Sequence, residues 1–346
     1  MSRLARLGVA FLVTASVLLT AAQQAGSDGP WWLELSRYLP YAALLAPAVV
    51  ALLLSFWAGR WWMLASVASL ILVTTVTMGL EWHGADRGDT HVRVMTYNIK
   101  AGNASLRSGG VAELALEVAR HDPDILVMQD ANGLLVARSD AALDKGPVFG
   151  LPRVYAVGQY IVASRFPLRD CAPGRIGFRD ESHRYVHCVV DAGGVELNLV
   201  TAHFESPRTG LNAARREGLD GADAWQRNYE DRLEQARALA RDLKGSRRPL
   251  IVAGDLNAPE SSPVIRTLLG AGLRDAFSSA GRGYGYSYGH ALRLGVSFLR
   301  IDHILLSPDI GVADCFVGNG NASDHRPVIA DLLLRRASAP ALARLP

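Results

Sequence analysis

Pro249-Leu250-Ile251-Val252-Ala253-Gly254-Asp255-Leu256-Asn257 is an apolar, β-rich run closed by a carboxylate and a carboxamide. Side chains alternate along a strand, so Asp255 and Asn257 are expected on one side if the chain stays extended. Such a pair can hold a metal or a nucleophilic water. Gly, Asp and Asn are also turn residues, and the segment alone leaves both readings open. Four further segments repeat the pattern: Met95-Thr96-Tyr97-Asn98-Ile99, Met128-Gln129-Asp130, Thr201-Ala202-His203 and Ser323-Asp324-His325-Arg326-Pro327. Each sets oxygen or imidazole groups beside a strand-like run. Hard divalent cations want oxygen ligands, and phosphoryl transfer wants an acid or base nearby.

Outward from these segments, strand-like runs recur at 92–99, 124–129, 160–166, 186–190, 195–204, 250–255, 300–307 and 327–334. Helical spacing appears at 111–121 (Val111, Leu114, Ala115, Val118, Ala119). A long, charged helix is expected over 222–244, with a stripe through Leu233, Ala236, Leu239, Ala240 and Leu243. Strands mixed with helices indicate an α/β or α+β sandwich. The stretch 281–290 reads as a loop, 81–91 as a polar linker and 335–346 as a frayed tail.

Residues 1–80 differ from the rest. They carry four basic side chains (Arg3, Arg6, Arg37, Arg60) and two acidic ones (Asp28, Glu34), leaving 32 basic against 31 acidic beyond them. The near-neutral balance of the larger part gives no sign of the strong positive field of a dedicated non-specific nuclease. Three apolar stretches lie in this first part, at 7–22, 39–59 and 61–80. The last two reach the length of about 20 residues that crosses a bilayer, and the first is shorter. Trp31, Trp32, Trp57, Trp61 and Trp62 sit near their ends, where amphipathic rings favour the headgroup layer. A membrane anchor of about three helices is expected. Arg3 and Arg6 before the first stretch and Arg60 between the second and third place those two points in the cytoplasm, and the stretch around Asp28, Glu34 and Arg37 outside, with 92–334 outside as well. Reading 1–22 as a cleaved signal peptide changes the helix count but not that side. Cys171, Cys188 and Cys315 then face an oxidising space, where a 171–188 bridge and three buried thiols are both open.

Asp302, in Arg300-Ile301-Asp302-His303-Ile304, can orient His325 and raise its basicity. His303 is read as a structural neighbour. His203, closing its strand, suits a second acid or base, whereas Asn98 and Asp130 offer oxygen ligands.

Taken in order, the segments resemble the endonuclease/exonuclease/phosphatase superfamily over roughly 92–334. The resemblance implies two mixed β-sheets flanked by helices in four layers, with the site where the loops of both sheets meet. It implies Mg²⁺ (or Mn²⁺) held at Asn98 and Asp130 with Asp324 beside it. Asp255 and Asn257 would position the attacking water, and His325, oriented by Asp302, would act with His203 on the phosphate. Arg165 matches the family's phosphate-side segment. The family normally has a glutamine–glutamate pair where this chain has Gln129-Asp130, one methylene shorter, so direct coordination at Asp130 becomes water-mediated or needs a backbone shift. The architecture also resembles membrane-anchored bacterial members linked to glycopeptide resistance, for which lipid-linked pyrophosphates are the expected substrates. This implies a multi-pass protein of the bacterial inner membrane with its catalytic domain outside, acting on a phosphorylated lipid and needing no obligate protein partner. The rival substrate is nucleic acid, favoured by a basic loop carrying Arg208, Arg215 and Arg216. A binding module that has lost catalysis through Asp130 is the third reading.

Overall fold

The computed structural model describes residues 2–25, 29–87, 90–134, 146–178, 181–218, 220–292 and 295–334; the expected tail at 335–346 lies outside them. The chain opens with α1 (Ser2–Gln24), α2 (Trp31–Ser36), α3 (Tyr41–Ala58) and α4 (Arg60–Leu72), which continues as a π-helical turn to Thr77. Three helical segments, Arg3–Gln24, Tyr41–Ala58 and Arg60–Thr77, are long and apolar enough to cross a membrane. They meet through small or flat faces (Ala5, Val9, Ala58) and expose Leu7, Phe11, Leu53, Phe56 and Trp61 outward.

Next come β1 (Glu81–Trp82), β2 (Thr90–Asn98), α5 (Ala101–Ala104), α6 (Gly110–His121), β3 (Ile125–Gln129), β4 (Arg153–Val157), β5 (Tyr160–Ser164), β6 (Leu168–Phe178), β7 (Glu181–Asp191) and β8 (Glu196–His203). The remainder is α7 (Arg208–Glu217), α8 (Ala222–Leu243), β9 (Leu250–Asp255), α9 (Pro263–Gly270), β10 (Arg274–Asp275), α10 (Ala276–Ala280), β11 (Arg282–Gly283), β12 (Asp302–Leu306), β13 (Gly311–Val317) and β14 (Val328–Leu334).

Two six-stranded sheets, ordered β10-β12-β9-β8-β7-β6 and β13-β14-β2-β3-β5-β4, make the sandwich. Each is mixed, with one parallel pair: β8 beside β9, and β2 beside β3. The period of two decides which residues fill which layer. Val94, Ile125, Val127, Ile251 and Ala253 point between the sheets into the central core. Their neighbours Met95, Tyr97, Leu126 and Met128 point outward under α6. Leu250 and Val252 point outward under α8 and α9. Helix, sheet, sheet and helix give the four layers, as expected.

Gly254 is required at its place, because a Cβ there would sit 2.0 Å from the Ala202 carbonyl oxygen of the parallel neighbour. The parallel pairs end together, and β12 and β14 begin there, so one edge of the sandwich collects Asn98, Asp130, His203, Asp255, Asp302 and His325.

Several stretches depart from the sequence reading. The basic loop after His203 is helical: α7 turns Leu211 and Ala214 toward Trp225, and its arginines stay on the wet side. Residues read as a linker are docked, with β1 paired to β11 and Asp86 bound to Arg274 at 2.8 Å. Strands β4, β6 and β13 lie outside the expected runs. Cys171 and Cys188 form a disulfide joining β6 to β7, and Cys315 is a buried thiol.

The segment between the first two long helices also packs on the sandwich. Trp31, Leu35, Tyr38 and Tyr41 join Trp225, Phe298, Leu299 and Ile301 in one cluster. Glu34, 1% exposed, accepts from Ser262 Oγ at 2.8 Å and from Arg37 at 2.9 Å. Ser262 is at the same time the N-cap of α9, with Pro263 in the first turn, where proline's missing N–H costs nothing.

Candidate active site

Asp255 is the centre of the site. Its Oδ2 accepts from Asn98 Nδ2 at 2.8 Å, and its Oδ1 accepts from the Asn257 backbone N–H at 3.0 Å. Two histidines approach the same Oδ2, His203 Nε2 at 3.4 Å and His325 Nε2 at 3.7 Å. Register places them: His203 lies beside Asp255 across the parallel pair, and Asp302 lies opposite it across the antiparallel pair.

The histidines are held differently. His325 Nδ1 contacts Asp302 Oδ2 at 2.9 Å, an oxygen that also accepts from Ser287 Oγ at 2.6 Å. Burial pushes the His325 pKa down, but the charges of Asp302 and Asp255 outweigh it and raise it above the usual histidine value. His203 Nδ1 instead contacts the neutral Gln159 Oε1 at 2.6 Å, and its backbone N–H donates to Tyr160 Oη at 3.0 Å. Burial dominates here and lowers the His203 pKa, against the pull of Asp255 and Asp130.

Asp130 stands at a left-handed position (φ 49°) just past β3, with Lys100 Nζ in contact and His203 Nδ1 at 3.8 Å. Its burial would raise its pKa, but His203 and Lys100 hold it below the usual carboxylate range. Asn257 is also left-handed (φ 51°), so the strand alternation stops before it. Its side chain turns to the Phe204 carbonyl at 2.9 Å, and only its backbone N–H serves Asp255. Asp324 sits further out, bound by Arg107 and by Asn103 Nδ2 at 3.0 Å.

Arg165 is not brought to this edge. It lies one residue past the Ser164–Ile125 pair, at the far end of β3, and binds Asp124 at 3.1 Å and Asp122. A five-residue strand sets it about 15 Å from the reacting end, which removes it from the substrate contacts expected of it. His303 is structural, as expected: buried, it bridges Asp275 at 2.8 Å and the Ala258 carbonyl at 2.9 Å.

Several participants escaped sequence reading. Gln159, Tyr160, Ser287 and Lys100 support the residues named above. Tyr288 packs its ring 4.8 Å from that of His325, and Arg208 donates to Tyr288 Oη at 3.1 Å. Behind the site, Gln129 Nε2 donates to Thr201 Oγ1 at 2.9 Å, tying the two sheets together. Of Gln159, Tyr160, Ser287 and Lys100, Lys100 alone stood close to a motif, two residues past Asn98.

The donor set fits a hard divalent cation. Asp255, Asp302 and His325 offer ligand atoms within 4.8 Å of one another. Asp302 Oδ1 is buried with no hydrogen-bond partner, the state of an oxygen shaped for a further charge. Asn98, hydrogen-bonded to Asp255, and Asp130 add further oxygens of the kind Mg²⁺ takes.

A model of the endonuclease/exonuclease/phosphatase family matches residues 95–325, well over half of the chain. Among solved structures, an endonuclease/exonuclease/phosphatase from Beutenbergia cavernae is 20% identical, covering 71% of this chain and 72% of that one, with a TM-score of 0.49. A family protein from Bacteroides thetaiotaomicron is 17% identical, covering 71% of this chain and 99% of that one (TM-score 0.48). A humanized TDP2 from D. rerio is 18% identical, covering 70% and 99% (TM-score 0.49). The search of curated proteins returned no match.

Proposed function

Given that the chain belongs to the endonuclease/exonuclease/phosphatase family, whose members are metal-dependent hydrolases of phosphoester bonds, we propose that it hydrolyses a phosphoester or phosphoanhydride of a lipid or lipid-linked substrate at the outer face of a bacterial inner membrane. Mg²⁺ is the proposed metal, with Mn²⁺ as its substitute, held by Asn98 and Asp130 with Asp324 at the rim. When bound, it neutralises charge on the phosphoryl oxygens.

The chain's own groups supply the rest. Asp255, oriented by the Asn98 and Asn257 N–H groups, takes a proton from the attacking water. Protonated His325, held by Asp302, donates to the phosphoryl oxygens as negative charge grows there. His203, kept neutral beside Gln159, is poised to receive or relay a proton.

One observation carries the lipid reading: the long apolar helices attach to the sandwich at its reacting edge. Tyr38, three residues before the second of them, donates to the Asn257 carbonyl at 2.8 Å, two residues beyond Asp255. Such an attachment supports a site near headgroup depth, where lipid phosphates would reach high effective concentration. The second reading, a tethered nuclease, draws on α7, whose Arg208 reaches Tyr288 next to His325. The deciding experiment offers full-length protein in detergent a polyprenyl pyrophosphate and supercoiled DNA in parallel, with Mg²⁺ or EDTA and with His203→Ala as blank. Mg²⁺-dependent phosphate release without nicking supports the lipid substrate, whereas nicking without phosphate release overturns it.

A further inference from the structure

A cavity of about 580 Å³ lies where the long helices meet the sandwich. One wall comes from the C-terminal ends of the first and third long helical segments and the N-terminal end of the second, with Gln24, Val76 and Leu44 among the lining residues. Its opposite wall is the segment Pro259–Ser261 with Leu299 and Arg300. None of Asn98, Asp130, His203, Asp255, Asp302, Asp324 or His325 lines it, so it is separate from the reacting centre.

Arg37 and Arg266 both line the cavity, and only Arg37 has a carboxylate as a hydrogen-bond partner. Arg37, its side chain 1% exposed, gives one nitrogen to Glu34 and one to the Gln23 carbonyl at 2.9 Å, while its buried Nε has no partner. Glu34 itself is shared, accepting from Ser262 and lying 4.0 Å from the buried Arg232. Arg266 donates to neutral oxygens of Gln24, the carbonyl at 2.6 Å and Oε1 at 2.8 Å. Burial and the neighbouring charge of Arg37 hold the Arg266 guanidinium below its ordinary pKa, a sign of two cations crowded together. Of the cavity's carboxylates, Glu260 binds Arg300 while its charge partly offsets that of Arg266, and Glu81 lies 3.1 Å from His83. Leu39, Leu44, Val76 and Leu80 line the same space, so charge and apolar surface meet at one depth.

We propose that this cavity binds the phosphate headgroup of an anionic membrane phospholipid, with Arg266 as its cationic contact, Arg37 as a buried charge behind it, and the apolar wall leading its chains into the bilayer. The site rests on the membrane part of the functional reading and not on the reaction. Its ligand is a resident of the leaflet rather than the substrate, since the reacting groups lie outside it. An anion beside Arg266 offsets the repulsion it feels from Arg37, and chains along Leu44 and Val76 replace solvent against apolar surface.

Full-length protein in detergent is titrated with dihexanoyl phosphatidylglycerol, dihexanoyl phosphatidylcholine and inorganic phosphate, reading thermal stability and, by native mass spectrometry, bound lipid. Phosphatidylglycerol is expected to bind and raise the Tm, with the other two giving little. Arg266→Gln is expected to weaken its binding about tenfold, the worth of one charge-assisted hydrogen bond. Leu44→Trp, which fills the apolar side and leaves both arginines, is expected to weaken it as well. His325→Ala is expected to bind normally, so a failure of the catalytic reading leaves this result intact. Equal stabilisation by inorganic phosphate overturns the lipid assignment. Unchanged binding in both cavity variants, or loss of binding in His325→Ala, overturns the site.

Discussion

His203 and His325 flank one carboxylate oxygen at nearly equal distances, yet the protein drives them in opposite directions. On the β14 side, His325 leans on a carboxylate and is favoured as a cation. On the β8 side, His203 leans on a carboxamide and is favoured neutral. Both rings are buried, so burial alone cannot separate them; the group behind each Nδ1 does. A site that must both give and accept a proton near neutral pH needs this asymmetry, and one substituent behind each imidazole is enough to set it.

The comparison breaks most completely when either ring is removed. His325→Ala and His203→Ala are each expected to lower kcat/KM about 10²–10⁴-fold, measured as Mg²⁺-dependent turnover. The sign of the pH dependence comes from the directions of the two shifts. Under the proposed roles, activity needs His203 unprotonated and is lost as pH falls through its lowered pKa. It needs His325 protonated and is lost as pH rises through its raised pKa. The profile of kcat/KM should therefore be a bell broader than one histidine of ordinary pKa could give, and a narrow bell would remove the proposed division of labour.

Asp302→Asn should cost about 10–100-fold, as loss of an orienting partner typically does, and should move only the alkaline limb, toward lower pH. A variant whose alkaline limb stays in place would show that Asp302 merely packs. Gln159→Glu attacks the other side: a carboxylate behind His203 should raise its pKa and move the acid limb upward, making the two sides alike. A loss of a few fold at pH 7 and more below it is expected. The smallest effect on catalysis should come from Cys171→Ser/Cys188→Ser, far from both rings. It should leave both limbs in place while costing about 3 kcal/mol of stability for a loop of this length, read by thermal unfolding.

The motifs were legible where an apolar run stopped at a polar residue, because a strand end fixes both the position and the direction of the side chains next to it. Asn98, His203, Asp255, Asp302 and His325 were all visible for that reason. Asn257 was misplaced in orientation because its left-handed backbone ends the alternation that the reading assumed. Arg165 was assigned by motif, but the register of β5 against β3 carries it to the other end of the sheet. Gln159 and Ser287 come from loop positions where neighbouring residues give no periodicity. Their roles depend on strands distant in sequence, and Ser287 meets Asp302 only because the backbone of 287–288 folds back onto Leu299. The helix α7 was hidden by its three arginines, which obscured the apolar face through Leu211 and Ala214.

Arg232 is fully buried, and of the two oxygens it meets at the end of its guanidinium, one is the Tyr38 hydroxyl and the other the Asn257 carbonyl. Its flanking rings are Tyr38 and Trp225. A soluble fragment cut after residue 80 would thus lack a piece of its own interior: an arginine stripped of its hydroxyl partner, an opened tryptophan and a loosened loop behind Asp255. Inactivity of such a fragment would report a missing wall, and the loss could be mistaken for a requirement for membrane.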